Sequence, residues 1–303
     1  MPQPRPWITL PIRPPADFDF RRTVLGHGWY ALAPFRYHSE RAALEGVASL
    51  GGTTIPWEIR ERGSLLKLRT PASLEPRLRI LLKATVRSCL RMDEDLAEFH
   101  RQTRRLASHR WIARTRSGRL LRAPTVFEDA VKMLCTTNCT WALTETMVKR
   151  LLEEFSPGDG ERAFPSPEAI ARSSERVLRT RCTLGYRAPF ALELARRVAD
   201  GSLEIESWRT TPLPTEELYA TIRRVKGFGP YAAGNLLKLL GRYDYLGLDS
   251  WVRARYSTLH GRGRMVSDAT IERRYKQYGR WRGLIFWLEM TRHWHEEKFR
   301  RQA

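Results

Sequence analysis

The sequence predicts an α+β protein in which a small antiparallel sheet with accompanying helices comes first and an all-helical domain follows. Three observations predict it. Short runs rich in β-branched and aromatic residues, broken by Gly and Pro, fill the first hundred residues. From Asp93 onward apolar residues recur at helical spacing between caps and stops. Neither a βαβ alternation nor a Gly-x-Gly-x-x-Gly nucleotide fingerprint is present. The expected division is an N-terminal α+β domain over 1–100 and a helical domain over 101–303. With 303 residues, 42% of them hydrophobic, the chain is long enough for two cores.

The strand candidates are Trp7–Ile12, Trp29–Tyr37, Thr53–Ile59, Leu65–Leu68 and a stretch within Leu81–Met92, with a turn at Leu50-Gly51-Gly52. Apolar residues in Ser39–Ala48 recur at helical spacing and predict a helix. Asp93-Glu94-Asp95-Leu96 is an acidic first turn leading into a helix. A segment dense in arginine follows (Arg101, Arg104, Arg105, Arg110, Arg114, Arg116, Arg119, Arg122), and it reads equally as a phosphate track or as a solvated face. Pro124 precedes a helix over Thr125–Leu134. Thr140–Phe155 is another, with Ser156-Pro157-Gly158 as its stop. Ser166-Pro167-Glu168, Ser173–Thr180 and Arg187–Asp200 continue the series, and Thr215-Glu216-Glu217 starts a helix that runs to about Val225.

Lys+Arg 53 against Asp+Glu 33 gives a formal charge of +20, which attracts polyanions and makes nucleic acid the leading partner. No apolar run approaches the roughly 18–20 residues that span a bilayer, and the start MPQPRPWITL lacks the pattern of a secretory signal. A soluble intracellular protein without a membrane partner is expected. Cys89, Cys135, Cys139 and Cys182 form no Cys-x-x-Cys pair and read as buried thiols rather than metal ligands. His293 and His295 stand two apart, on different faces of a helix, which argues against a metal site there.

The most informative stretch is Leu218–Tyr256. A helix ends in Ile222-Arg223-Arg224-Val225, the turn Lys226-Gly227-Phe228-Gly229-Pro230 follows, and a second helix runs from Tyr231 through Leu240. The glycines permit a sharp turn, and the unpaired N–H groups opening the second helix form a seat for phosphate. Leu246-Gly247-Leu248-Asp249-Ser250-Trp251-Val252-Arg253 then places one carboxylate in an apolar stretch, where Asp249 is either a functional acid or the cap of the helix Ser250–Leu259.

Here the sequence resembles the helix-hairpin-helix (HhH-GPD) DNA glycosylase superfamily, whose signature is such a hairpin followed by a Gly/Pro-containing loop and an essential Asp. Leu134-Cys135-Thr136-Thr137-Asn138 and Thr183-Leu184-Gly185-Tyr186-Arg187-Ala188 resemble segments of its 8-oxoguanine branch. The sheet-first order is similar to that branch and to the bacterial alkyladenine enzymes, whose N-terminal domain is like half of the TATA-binding protein. The resemblance implies double-stranded DNA containing a damaged base as partner, gripped through Lys226, Gly227, Phe228, Gly229, Arg187 and Arg253. It implies Asp249 as the catalytic carboxylate and a monomer, cytoplasmic and nucleoid-associated in a bacterium or nuclear in a eukaryote. Asn138 is then the polar side chain that fills the hole left by the everted nucleotide, although an ordinary cap cluster fits it as well.

The same resemblance exposes two departures. Bifunctional members carry a nucleophilic Lys where this chain has Tyr231, and a phenol cannot form a Schiff base, so a monofunctional enzyme with water as nucleophile is expected. Lys226 and Lys238 are the available substitutes, and a bifunctional 8-oxoguanine glycosylase/lyase is the alternative. No Cys follows Cys182, so the iron–sulfur branch is disfavoured and no cofactor is expected beyond K+ or Na+ at the turn Lys226–Gly229, which analogy alone suggests. Tyr231, Trp251, Phe286 and Trp287 are the base-pocket candidates, the last two reading also as core. Aromatic surfaces suit a cationic alkylated purine, while the motifs are closer to the 8-oxoguanine enzymes. The prediction is a damaged purine, with alkylated bases favoured. Its rivals from other classes are a non-catalytic DNA-binding protein and an RNA-associated basic protein.

Overall fold

The computed structural model describes residues 6–156 and 160–300. Pro157 and Gly158 of the expected helix stop, and the first five residues, lie outside them. The chain opens with β1 (Trp7–Ile12), α1 (Phe20–Val24), a 3-10 turn at Gly28–Ala31, β2 (Arg36–His38), β3 (Ala43–Leu50), β4 (Thr53–Arg62) and β5 (Leu65–Pro71). Helices follow: α2 (Pro76–Cys89), α3 (Ala97–Arg105), α4 (Arg110–Arg114), α5 (Val126–Cys135), α6 (Trp141–Phe155), α7 (Pro167–Ala171), α8 (Glu175–Thr180) and α9 (Ala188–Ala199). The last are α10 (Thr215–Arg223), α11 (Pro230–Leu240), α12 (Ser250–His260), α13 (Asp268–Tyr275), α14 (Arg282–Met290) and α15 (Arg292–Arg300).

The five strands form one antiparallel sheet in the order β1-β5-β4-β3-β2. Two expectations fail in this region. Residues read as the helix Ser39–Ala48 lie largely in β3, and Gly46 pairs directly with Trp57 of β4, whose ring occupies the space a Cβ at 46 would need. Burial of Ala43, Leu44, Val47 and Ala48 on both faces erased the alternation that marks a strand. The Leu81–Met92 stretch is helix rather than strand, entered at Pro76, with Leu82, Val86 and Cys89 buried at helical spacing. Ile80 and Leu81 of α2 are exposed, so apolar residues stand on its outer face and hide the period. Trp29–Tyr37 is a strand only from Arg36; its start belongs to the 3-10 turn.

The chain folds as two compact units, each built from two segments: Met1–Glu94 with Arg119–Glu206, and Asp95–Gly118 with Ser207–Ala303. In the first unit, buried polar contacts join the sheet region to the helices. Asp129 of α5 accepts from the Trp29 indole N–H and the Ala123 amide, both at 2.8 Å. Arg119, 2% exposed, donates to both Asp17 carboxylate oxygens and to the carbonyls of Arg91 and Glu94. Arg122 binds the Ser88 carbonyl and hydroxyl. These two arginines of the expected phosphate track are therefore internal braces. Arg101, Arg104, Arg105, Arg110, Arg114 and Arg116 are exposed, all on the second unit. The α5 N-terminus is capped by Thr125 and by the Glu206 carboxylate, which accepts from the amides of Val126 and Phe127.

In the second unit Glu289 of α14 accepts from Tyr275 Oη at 2.6 Å and pairs with His260 at 2.7 Å and His109 at 3.2 Å. Burial would raise its carboxyl, but the hydrogen bonds from His109 and Tyr275 and the charges of His109 and His260 hold it down to about 2. The thiols of Cys135 and Cys182 are pushed up to about 12 by burial, and among the described residues no group of three or more His, Cys, Asp or Glu is placed to hold a metal ion. No described helix is long and apolar enough to cross a membrane.

Replacing Asp129 with Ala strands two N–H groups inside the first unit and is expected to cost about 2–5 kcal/mol in urea unfolding, because each buried orphan costs about 1–3 kcal/mol. Glu289 has a folded pKa below its unfolded one, so its contribution is complete above about pH 5 and is lost as pH falls towards 2. Unfolding curves of wild-type protein and Glu289→Gln should therefore converge over that window, the separation at pH 6 being about 3 kcal/mol.

Candidate active site

The hairpin expected between Leu218 and Leu240 is formed by α10, the turn and α11, all within the second unit. Gly227 adopts φ 88°, Phe228 is buried, and Gly229 is the N-cap of α11 with Pro230 as its first residue. Gly229 contributes no capping side chain to the amides at the start of α11. Lys226 is exposed beside them. The Phe228 carbonyl accepts from the Arg223 guanidinium at 3.0 Å. Arg223 thus sets a positive charge on a carbonyl that K+ or Na+ would use, and the turn suits such an ion only if Arg223 moves away. At the other end Gly241 closes α11 in the left-handed conformation, with Arg242 N–H reaching the Leu237 carbonyl at 2.8 Å.

The segment Leu246–Asp249 returns across α11. A Cβ on Gly234 would lie 3.1 Å from Gly247 Cα, and one on Gly247 would lie 2.6 Å from Asn235 Nδ2 and 2.9 Å from Lys238 Nζ. Gly247 also has φ 64°, so both its conformation and its surroundings demand glycine. Asn235 donates to the carbonyls of Gly247 and Tyr231, and Lys238 to the Leu246 carbonyl.

Asp249 emerges from this segment half-buried, as the N-cap of α12. Its Oδ1 accepts from Val252 N–H at 2.8 Å, while no hydrogen bond from a described residue reaches Oδ2. Asp249 caps the helix, as one of its two sequence readings has it, and still presents its second oxygen. Two residues on, Trp251 is 38% exposed and stacks on Trp294 at 5.0 Å between centroids and 27° between planes. Trp287 lies 6.5 Å from Trp251 and 5.9 Å from Trp294, and His293 adds a fourth ring. Phe286 is a correction. It has no exposed surface and packs edge-on against Tyr275, so it belongs to the core. Tyr231 is half-buried on the face of α11 that carries Asn235 and Lys238. Arg253 is engaged by Asp268 through two bonds of 2.7 and 2.9 Å, which hold the Asp268 carboxyl below its usual range.

In the first unit, Thr140 rather than Asn138 caps α6. Asn138 is exposed at φ 47°, and its amide donates to Tyr186 Oη. Arg187 is a second correction. It is 4% exposed, hydrogen-bonds to the Thr137 carbonyl and hydroxyl, and lies under the Tyr186 ring at 4.4 Å. It is therefore placed to brace the turn that presents Asn138, not to meet a phosphate itself. Sequence reasoning singled out neither Asn235 nor Trp294. The spacing Tyr231, Asn235, Lys238 (i, i+4, i+7) on an otherwise apolar helix is the signal that marks Asn235.

Residues 131–285 match the HhH-GPD superfamily of base excision DNA repair proteins, and the chain belongs to that superfamily; it is a DNA glycosylase. It is 22% identical over 292 residues to a probable N-glycosylase/DNA lyase of Methanothermobacter thermautotrophicus, covering 88% of this chain and 90% of that protein. In fold it is similar to the 3-methyladenine DNA-glycosylase from Archaeoglobus fulgidus, with TM-score 0.76 and 19% identity over 94% of this chain and 99% of that one. It is also similar to the Clostridium acetobutylicum 8-oxoguanine glycosylase/lyase in its apo form, with TM-score 0.71 and 17% identity over 93% and 95% of the two chains. The same Clostridium enzyme in complex with double-stranded DNA containing cytosine opposite 8-oxoG gives TM-score 0.65 and 16% identity over 88% and 92%.

Gly247→Ala is expected to destabilise the protein by about 1–3 kcal/mol, from the left-handed conformation and the crowding of Asn235 and Lys238, as read from urea midpoints at constant slope.

Proposed function

We propose that the protein is a monofunctional DNA glycosylase that everts a damaged purine, with alkylated purines preferred, and hydrolyses its N-glycosidic bond with water assisted by Asp249. A base cannot be excised within the stack, so the nucleotide must rotate out and bring C1′ to the enzyme. As the base departs, positive charge develops on the sugar. A carboxylate in a confined site stabilises that charge and orients the attacking water. The observation that carries this reading is the half-buried Asp249, one oxygen fixed by the Val252 amide and the other open, two residues from the tryptophan cluster. That cluster suits a cationic base, which gains from the electron-rich ring faces and already has a weakened glycosidic bond. The preference also agrees with the fold similarity to the Archaeoglobus 3-methyladenine DNA-glycosylase.

The hairpin is proposed to seat a DNA phosphate on the amides that open α11, with Lys226 beside them, and Asn138 is proposed to occupy the place of the everted nucleotide. Tyr231, standing where bifunctional members carry lysine, leaves the abasic strand intact on this reading. The second reading, glycosylase with lyase activity, is favoured by the names of the Methanothermobacter and Clostridium proteins.

Duplexes carrying alkylated purines, 8-oxoguanine, hypoxanthine and uracil should be assayed for released base, with and without alkali. Alkylated purines should be released fastest, with strand breaks seen only after alkali. Asp249→Asn should lower release about 100-fold or more while binding to an abasic-site duplex stays within about threefold. Breaks without alkali, trapped covalently by borohydride, would decide for the second reading.

A further inference from the structure

Lys238 is a charged residue that the fold treats as interior, with 2% of its surface exposed. Burying an ammonium costs several kcal/mol unless its N–H groups find acceptors and a counter-charge lies near. The acceptors are specific. Nζ donates to the Leu246 carbonyl at 2.5 Å and to Asn235 Oδ1 at 3.1 Å, while Asn235 Nδ2 donates to the Gly247 carbonyl at 3.2 Å. Two consecutive carbonyls are therefore held by two side chains from one face of α11, two and three residues ahead of Asp249. A leucine at 238 would suit this apolar helix better by burial alone, so the lysine sits against the local trend.

We propose that Lys238 and Asn235 are positioning residues for base excision: they fix the Leu246–Asp249 segment on α11 and thereby set the place and the electrostatic surroundings of the Asp249 carboxylate. The proposal rests on the reading of Asp249 as the catalytic group. Lys238 does not meet the sugar; it acts through the segment it holds. Burial pushes its ammonium down to about 7, against the opposing pull of Asp249. Below that pH Lys238 carries its charge, and above it that charge is lost. A rate that depends on this pair falls as pH rises through about 7.

The test is single-turnover base release across pH 5.5–9, using dimethyl-sulfate-methylated duplex DNA, or the 8-oxoguanine duplex if that is the one on which wild-type protein acts. Lys238→Met is expected to lower the rate about 10–100-fold and to abolish the decline above pH 7, and Asn235→Ala to lower it about 3–10-fold while keeping that decline, both with abasic-duplex affinity within about threefold of wild type. A Lys238→Met protein matching wild type in rate and pH profile would overturn the proposal, as would a borohydride-trapped adduct that this variant alone loses, which would make Lys238 a nucleophile. Should Lys238→Met not fold, a 15N NMR titration of the lysine amines decides. Lys238 should titrate near pH 7 and move lower in Asp249→Asn; titration near the ordinary lysine value, unmoved by that substitution, refutes the coupling. An Asp249→Asn protein that still releases base defeats the catalytic reading itself, a result separable from normal behaviour of the Lys238 variant.

Discussion

The candidate site in the second unit depends on one close approach of backbone to backbone, where Gly247 lies on Gly234 of α11 and a Cβ on Gly234 would stand 3.1 Å from Gly247 Cα. Small residues favour such contact, and across it the carbonyls of 246 and 247 accept from Lys238 and Asn235. A side chain at 247 would crowd Asn235 Nδ2 and Lys238 Nζ, the groups that hold these two carbonyls ahead of Asp249. The segment leading to Asp249 is thus held through Gly247 and the two side chains around it.

Buried polar chemistry recurs elsewhere in the fold. Arg119 ties five oxygen acceptors together, Asp129 gathers an indole and an amide, and Lys132 is fully buried on Glu128 at 2.6 Å with the Phe35 ring beneath it. Each replaces apolar packing by directed bonds, which specify one arrangement where hydrophobic contact alone tolerates several. The formal charge of +20 is accordingly not all presented to a polyanion: Arg91, Arg119, Lys132, Arg187 and Lys238 are interior cations.

The helical part of the fold and the hairpin were legible in the sequence because their signals are local. Pro230 after Gly229, Ser166 before Pro167 and Gly241 after Leu240 each state a helix boundary through the backbone chemistry of one or two residues. The failures have one cause. Where both faces of β3 are covered, or where Ile80 and Leu81 stand exposed on α2, the apolar pattern no longer reports the period, and burial is decided by partners distant in sequence. At the site, Asp249 and Trp251 were visible from their place after the hairpin. Phe286 read as either pocket or core and lies in the core, whereas the interior placement of Arg187 was not visible, because an arginine side chain serves core and surface alike.

The pairing of segments within the two units has a topological outcome. The polypeptide passes from one unit to the other at 94/95, returns at 118/119 and leaves again at 206/207, so neither unit is an uninterrupted stretch of chain. During synthesis the sheet is complete long before Arg119 emerges to bind Asp17, and the partnership of α3 and α4 with the later helices must wait until nearly the whole chain is made. A truncation at residue 100 severs both units at once, and engineered fragments of this protein must respect three junctions rather than one.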